Sequence, residues 1–435
     1  MLQYSHMRIG LFTDSYHPAA NGVVLTVDMA RRELEKLGHE VYIFAPDGGV
    51  IRDKKLRRNL PRDPHIIRLP AIQYDMQLSL FFPPQLLKRI RALKLDVIQF
   101  FTPAQIGLMA TLAARKTGAV LIGKHGTDTY EFSKDYRAMA LAYFFAGFLG
   151  PLFIKLSSAQ KKTFAKLYLA PLGRETDEKY TQRLIAGLMS LMYANCDGVV
   201  AVSEKSAKQL REFAARSGEK LNLRVIPDGV DVLPPAREAD IKKFHEKWKL
   251  SPDDEIILNF GRMAEEKNLT LLIDMLPMLL TTHPHAKLIL AGDYVYRETL
   301  EEIAKDSPVA DRIIFTGRYA RDEIPTMCAV AKLFAFSSLT DTQALVLNEA
   351  AGQGLPIVMC DNLGVNDVFR ENENGLFAKN ELQDFANQVA KILDDEKLRK
   401  KFSTNSRKFA AEFSESQQTE KLVAFYRELL RRPIK

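Results

Sequence analysis

The sequence predicts two doubly wound α/β domains in tandem, each a mostly parallel sheet with helices on both faces. Three observations lead there. Short apolar runs ending in glycine or a polar residue alternate with stretches of helical apolar spacing along the chain. The alternation runs twice, on either side of RVIPDGVDV (residues 224–232), where proline, glycine and aspartate interrupt it. The two halves also differ in charge. Residues 1–225 carry 33 Lys and Arg against 20 Asp and Glu (+13), whereas residues 226–435 carry 28 against 34 (−6). A length of 435 residues independently suits two domains.

The elements follow in order. MRIGLFTD reads as a buried parallel strand. VVLTVDMARRELEKLGHE has helical apolar spacing and stops at Leu37-Gly38, a helix C-terminal signal. VYIFAPDGG is a second strand, so the first forty-odd residues form a βαβ unit. IIRLP, DVIQFF, VLIGKHG and GVVAVS continue the first sheet, and IILNFGR, KLILAGD, IIFTGR, LFAFSS and PIVMCD supply the second. In such sheets ligands bind beyond the carboxyl ends of the strands. Two domains facing each other would place those ends around one inter-domain cleft.

Composition excludes several classes. At 46% hydrophobic and 26% charged residues the chain is ordinary globular protein, without a disordered or repetitive segment. Cys196, Cys328 and Cys360 are sparse and odd in number, with no CxxC pair, so neither a disulfide framework nor a zinc site is expected. They suit buried positions in a reducing compartment. MLQYSHMRIG lacks an apolar core after a basic start, so no secretory leader is expected, and Met7 could serve as the start. The basic first half could meet nucleic acid, an anionic membrane or a phosphorylated substrate. No nucleic-acid reader motif accompanies it.

The chemistry-bearing motifs come just after strands. In TDSYHPAANGVV, Asn21-Gly22 directly precedes a helix, where glycine lets backbone approach a ligand and free N–H groups attract an anion. An ordinary strand–helix loop would look the same. No GxGxxG follows any strand. KHGTDTY places His125 at a strand end as a catalyst or a hydrogen-bonding spacer, and no second histidine stands at metal-ligand spacing. GRMAEEKNL pairs a fork, Arg262, with a point charge, Lys267, expected to open the next helix. The pair suits a diphosphate, or is simply a solvated basic pair. In SSLTDTQALVLNEAAGQG, Asp341 falls in a loop and Glu349 about a turn inside the following helix. Between them the amides of Gln343, Ala344, Leu345 and Val346 form a helix N-terminus that attracts an anion. Carboxylates on both sides suit hydroxyls, since each accepts two hydrogen bonds from a diol.

These motifs, with CDGVVAVS, RVIPDGVD and the closing helix TEKLVAFYREL, have the order and spacing of a known family. The chain resembles, nearly end to end, the retaining GT-B-fold glycosyltransferases of family four, the group 1 glycosyltransferases that include bacterial glycolipid glucosyl- and mannosyltransferases. The resemblance implies an acceptor-side domain over 1–226, a nucleotide-sugar domain over 227–412 and a helix from 413 to 435 returning to the first domain. It implies that Gly22 contacts the donor diphosphate, that His125 lies beside donor sugar and acceptor, and that Arg262 and Lys267 neutralise the leaving nucleoside diphosphate. Asp341 would touch donor-sugar hydroxyls, Glu349 would hold the ribose, and the backbone of Gln343, Ala344 and Leu345 would line the phosphate. It further implies retention without a metal or other cofactor, and no DxD motif stands at a strand end. Three positions depart from the family pattern: Asp341 replaces the usual Glu, Ala344 a frequent glycine, and Tyr294-Val295 the usual Gly-Pro after Gly-Asp.

Two features bear on the acceptor. PPQLLKRIRALKLD reads as a helix carrying Lys88, Arg89, Arg91 and Lys94, preceded by the basic RDKKLRRNLPRD (52–63). Such faces meet anionic lipid with about 1 kcal/mol per Lys or Arg. Residues 138–154 carry no charge, and Gly150-Pro151 interrupts them. They are expected to dip into a membrane or to form a core helix rather than to span. They belong to an elaborated hydrophobic and basic segment over about 134–190. The expected protein is therefore a cytoplasmic enzyme, peripheral to the inner face of the cytoplasmic membrane. It would transfer a hexose from UDP-glucose or GDP-mannose to diacylglycerol, glycosyl-diacylglycerol or phosphatidylinositol. A soluble acceptor, or a catalytically silent nucleotide-sugar-binding protein, are the alternatives.

Overall fold

In the first unit, β1 (Arg8–Phe12), β2 (Glu40–Pro46), β3 (Ile66–Leu69), the short hairpin β4 (Ala71–Gln73) and β5 (Gln77–Ser79), β6 (Val97–Phe100), β7 (Val120–His125), β8 (Gly198–Ala201) and β9 (Leu223–Val225) alternate with helices. The helices are α1 (Gly22–Lys36), α2 (Pro84–Leu93), α3 (Gln105–Thr117), α4 (Ser158–Leu169), α5 (Tyr180–Ala194) and α6 (Glu204–Arg216). The structure is a computed structural model that describes residues 6–18, 22–47, 63–73, 77–79, 84–126, 153–169, 180–360 and 368–431. Residues 138–152 of the uncharged stretch and 52–62 of the basic stretch lie outside the described residues.

Among the described residues the main sheet of this unit has the order β3-β2-β1-β6-β7-β8-β9, all parallel. The chain winds outward from β1 to β3, then returns beside β1 to wind the other way. That reversal between β1 and β6 is the topological switch point where such sheets open for ligands. Helix ends obey local chemistry. Gly118, at φ 79°, closes α3 with its N–H on the Ala114 carbonyl, and Ser203 with Ser206 forms a capping box on α6. Val24, Val27 and Leu34 of α1 bury one face against Ile9, Leu11, Val41 and Ile43.

The second unit contains α7 (Glu238–Trp248), β10 (Glu255–Phe260), α8 (Thr270–Leu279), β11 (Ala286–Ala291), α9 (Arg297–Asp306), β12 (Ile313–Gly317), α10 (Ile324–Val330) and β13 (Leu333–Phe336). It continues with α11 (Leu345–Gly352), β14 (Ile357–Cys360), β15 (Gly375–Ala378), α12 (Leu382–Asp394) and α13 (Glu396–Ala411). Its sheet is parallel in the order β12-β11-β10-β13-β14-β15, with the switch point between β10 and β13. Cys328 and Cys360 are buried in its core.

The division falls between Pro227 and Asp228, and the last helix, α14 (Glu415–Leu430), belongs to the first unit from Gln418 onward. There Leu422, Val423, Phe425, Tyr426 and Leu429 join the core of the first sheet, and the Tyr426 hydroxyl donates to Gln99 at 2.6 Å. Residues 413–417 belong to the second unit, not to the returning segment expected from 413. Backbone holds them there: Val230 N–H donates to the Phe413 carbonyl at 2.8 Å and Glu415 N–H to Asp231 at 3.0 Å.

Candidate active site

The donor-side candidates gather at the carboxyl edge of the second sheet. Three of its strands end in glycine with positive φ: Gly261 at 145°, Gly292 at 145° and Gly317 at 78°. The backbones cross so closely that a Cβ on Gly292 would lie 1.8 Å from the Gly261 carbonyl oxygen. Only glycine fits such an approach. Gly261 N–H bonds the Ala291 carbonyl and Gly292 N–H the Gly317 carbonyl, both at 2.9 Å.

Arg262 follows Gly261. Its guanidinium pairs with Glu266 and stacks over the Tyr294 ring at 4.8 Å. Lys267 does not open a helix as expected. It closes a 3₁₀ turn, Glu265–Lys267, and Asn268 at φ 53° separates it from α8. This turn brings Lys267 to the switch point. There Lys267 Nζ donates to Asp341 Oδ1 at 2.6 Å, and the Ser337 hydroxyl donates to the Lys267 carbonyl at 2.9 Å.

The loop after β13 then enters α11. Ala344, just before the helix, has φ 61° and ψ 68°, the left-handed region. There an L-residue costs roughly 1–2 kcal/mol. The left-handed turn leads straight into α11, where Leu347 N–H donates to the Ala344 carbonyl at 2.9 Å and the first N–H groups carry the positive end of the helix dipole. The Gln343 side chain is committed elsewhere: it accepts from Asp228 N–H and donates to the Asp228 carbonyl, each at 2.8 Å. A ligand role for Gln343 therefore falls to its backbone.

Glu349 stands one turn into α11, its side chain 9% exposed, with Arg321 Nε at 3.3 Å. Burial pushes its carboxyl up, and Arg321 pulls it back. Arg321 also lies 3.7 Å from Glu415. Three cations thus meet three carboxylates along one edge: Arg262 with Glu266, Lys267 with Asp341, and Arg321 with Glu349. Such a row can exchange carboxylate partners for phosphate oxygens while keeping acceptors for hydroxyls.

Sequence reasoning missed Arg321 and Ser337, and marked Tyr294 only as part of a departure from the family pattern. The pattern of a strand-end glycine followed by arginine occurs twice, in FGR and FTGR, and points to Arg318. Arg318 instead donates to Asp293 at 2.6 Å, and the arginine three residues on reaches Glu349.

In the first unit, Gly22 opens α1, and among the described residues nothing lies within 4 Å of where its Cβ would stand. His125 ends β7 and is 0% exposed. Its Nε2 lies 3.1 Å from Gln209 Oε1 and its Nδ1 3.3 Å from the Tyr193 hydroxyl. In this arrangement the ring braces β7 against α5 and α6. Asp14, which sequence reasoning did not single out, spans the switch point. It accepts from the Thr102 hydroxyl at 2.5 Å and from Ile106 N–H, at the start of α3, at 2.8 Å. Burial pushes its carboxyl up to about 6, against the lowering effect of these bonds. Lys88, Arg89, Arg91 and Lys94 are exposed, while Leu86 and Ile90 of the same helix are buried.

Two parallel-sheet units, the second carrying a cation row and a helix N-terminus flanked by acids at its switch point, define a glycosyltransferase of the GT-B fold. The family described as Glycosyltransferase Family 4 matches residues 20–232, that described as Glycosyl transferases group 1 matches residues 240–409, and the chain belongs to this glycosyltransferase family. The alpha-monoglucosyldiacylglycerol synthase of Streptococcus pneumoniae is 26% identical over 377 residues, covering 85% of this chain and 74% of the relative. That of Acholeplasma laidlawii is 25% identical over 382 residues, 85% and 84% of the two chains. Among solved structures, Anabaena HepE in complex with UDP superimposes with a TM-score of 0.70 at 17% identity, covering 97% of this chain and 100% of that one. Sucrose-phosphate synthase from Thermosynechococcus elongatus gives 0.68 at 17% identity, with 97% and 99% covered. At these identities the structures speak to fold alone. No helix among the described residues is long and apolar enough to cross a membrane.

Proposed function

We propose that the enzyme transfers a hexose from a nucleotide sugar, UDP-glucose or GDP-mannose, to a lipid hydroxyl, with retention and without a metal. The observation that carries the reading is the juxtaposition at the second unit's switch point. There Lys267 meets Asp341 in the loop that enters α11, Arg262 follows the same strand as Lys267, and Glu349 stands one turn into α11. The leaving diphosphate gains charge as the C1–O bond breaks, and two cations with a helix N-terminus stabilise that charge where a metal otherwise would. Asp341 and Glu349 accept hydroxyls of the donor sugar and ribose. Retention results when the acceptor oxygen bonds C1 on the face the diphosphate leaves, its proton passing to the departing phosphate oxygen. No proton step is assigned to His125, whose ring nitrogens are engaged.

The relatives named as alpha-monoglucosyldiacylglycerol synthases support diacylglycerol as acceptor. The exposed Lys88, Arg89, Arg91 and Lys94 support docking on an anionic inner leaflet. Four such charges contribute about 4 kcal/mol in total to membrane binding. Released nucleoside diphosphate is measured with each donor, with and without anionic liposomes containing diacylglycerol, in EDTA. Release with one donor that rises with liposomes, and falls when all four basic residues become Glu, is expected. Release indifferent to liposomes moves the acceptor to solution. Nucleotide binding without release makes the chain a silent binder. Release abolished by EDTA and restored by a divalent cation overturns metal independence.

A further inference from the structure

The loop after β11 holds a residue that neither packing nor backbone preference explains. Tyr294 adopts φ 155°, a region glycine tolerates better than tyrosine, yet its side chain is 41% exposed and the adjacent Val295 79%. Strain that contributes little burial persists only where the surroundings impose it, and it concentrates at functional sites. Here they do impose it. Met263 N–H donates to the Asp293 carbonyl at 3.1 Å and Tyr296 N–H to the Met263 carbonyl at 3.2 Å. Arg318 from the loop after β12 donates to Asp293 Oδ2 at 2.6 Å, and Tyr294 N–H donates to Asp293 Oδ1 at 3.0 Å. The loops after three neighbouring strands are thereby tied together. What they present is the Tyr294 ring, under the Arg262 guanidinium at 4.8 Å.

A ring under a guanidinium occupies its face and leaves the in-plane N–H donors at its edge available. Glu266 takes part of that edge in this structure. A diphosphate needs the same donors, and an arginine that swings away with Glu266 delivers none. We propose that Tyr294 is a positioning residue that holds the plane of Arg262 over the diphosphate site while Glu266 gives way to phosphate oxygens. The proposal rests on the reading of Arg262 as a diphosphate contact. It adds that orientation of Arg262, and so turnover more than donor affinity, depends on the ring.

The test compares Tyr294→Phe, Tyr294→Ala, Tyr294→Gly and Arg262→Ala in the intact enzyme. It measures kcat and donor KM from released nucleoside diphosphate, using whichever of UDP-glucose and GDP-mannose the wild type turns over, together with Tm. Phe keeps ring and strain, and kcat stays within about twofold. Ala and Gly each lose about tenfold in kcat, about 1.4 kcal/mol, with donor KM changed less than about threefold. Gly melts higher than Ala because it relieves the backbone. An equal loss of kcat in Ala and Gly despite their different Tm, with donor KM nearly unchanged, is what a merely structural tyrosine would not produce. Ala and Gly variants that keep wild-type kcat while Arg262→Ala loses activity overturn the positioning role alone. An Arg262→Ala variant with undiminished activity overturns the reading of Arg262, and this inference with it.

Discussion

The pair Lys267–Asp341 allows a quantitative test of the charge-exchange reading. The two side chains are 19% and 17% exposed and meet at 2.6 Å. At an effective dielectric of about 20 the Coulomb attraction over that distance is about 6 kcal/mol, most of it offset by desolvation of both ions. Lys267→Met removes the cation that faces the largely covered Asp341 carboxylate, which costs about 2–3 kcal/mol. Adding Asp341→Asn removes that charge, and the double variant recovers to a loss of about 1 kcal/mol. With Asp341→Asn alone costing about 0.5 kcal/mol, the coupling in the double-mutant cycle is about 1.5–2.5 kcal/mol. For a unit of this size each kcal/mol moves Tm by roughly 2–4 °C, so Lys267→Met melts about 5–10 °C low and the double variant about 3 °C low. Thermal unfolding followed by circular dichroism reads this directly. Calorimetric titration with UDP and GDP gives the functional half. Lys267→Met weakens nucleotide binding by about 100-fold, about 2.7 kcal/mol. Asp341→Asn keeps binding within a few fold, because the cation remains and a repelling carboxylate is gone. Strictly additive stability losses, with coupling below about 0.5 kcal/mol, would refute the ion pair as the element that holds Lys267 for phosphate.

Asp14 makes a pH prediction. Its folded carboxyl titrates near 6, above the ordinary value of 3.8, so between these the folded state keeps a proton that the unfolded chain releases. The stabilisation is complete below about pH 4 and is lost as pH rises through about 6. Asp14 retains some exposed surface, so the change amounts to at most about 3 kcal/mol. Asp14→Asn therefore gains on wild type between about pH 4 and 7 in urea midpoints, and a gap independent of pH contradicts the assignment. Gly22→Ala tests ligand approach without a packing change. Among the described residues an added Cβ meets nothing within 4 Å, and the position is helical, so Tm holds or rises slightly. Donor kcat/KM is expected to fall at least about fivefold, and unchanged kinetics would remove Gly22 from the donor site.

Much of the candidate site was legible in the sequence, because parallel sheets announce themselves in single stretches of chain. An apolar run, a glycine and a polar residue mark where each strand delivers its loop, and Arg262, Asp341 and Glu349 stand at such points. Side-chain partners were not legible. That Gln343 spends its amide on Asp228, and that Arg321 rather than Arg318 meets Glu349, depends on the direction each loop leaves its strand. Asp14 escaped notice because its partners, Thr102 and Ile106, are about ninety residues away in sequence.

The sequence by itself determined the two-unit α/β architecture, the family and the positions that carry charge at the sheet edges, since these follow from local periodicity and from residue types at strand ends. Tertiary structure alone decided which cation meets which acid, that His125 is a fully enclosed brace, and that Tyr294 is bent beneath Arg262. Those outcomes arise from strands brought side by side in the sheet, as where the loops after β10 and β11 bring Gly261 and Gly292 into backbone contact. No spacing along the chain encodes that approach, because it depends on the order in which the sheet assembles its strands.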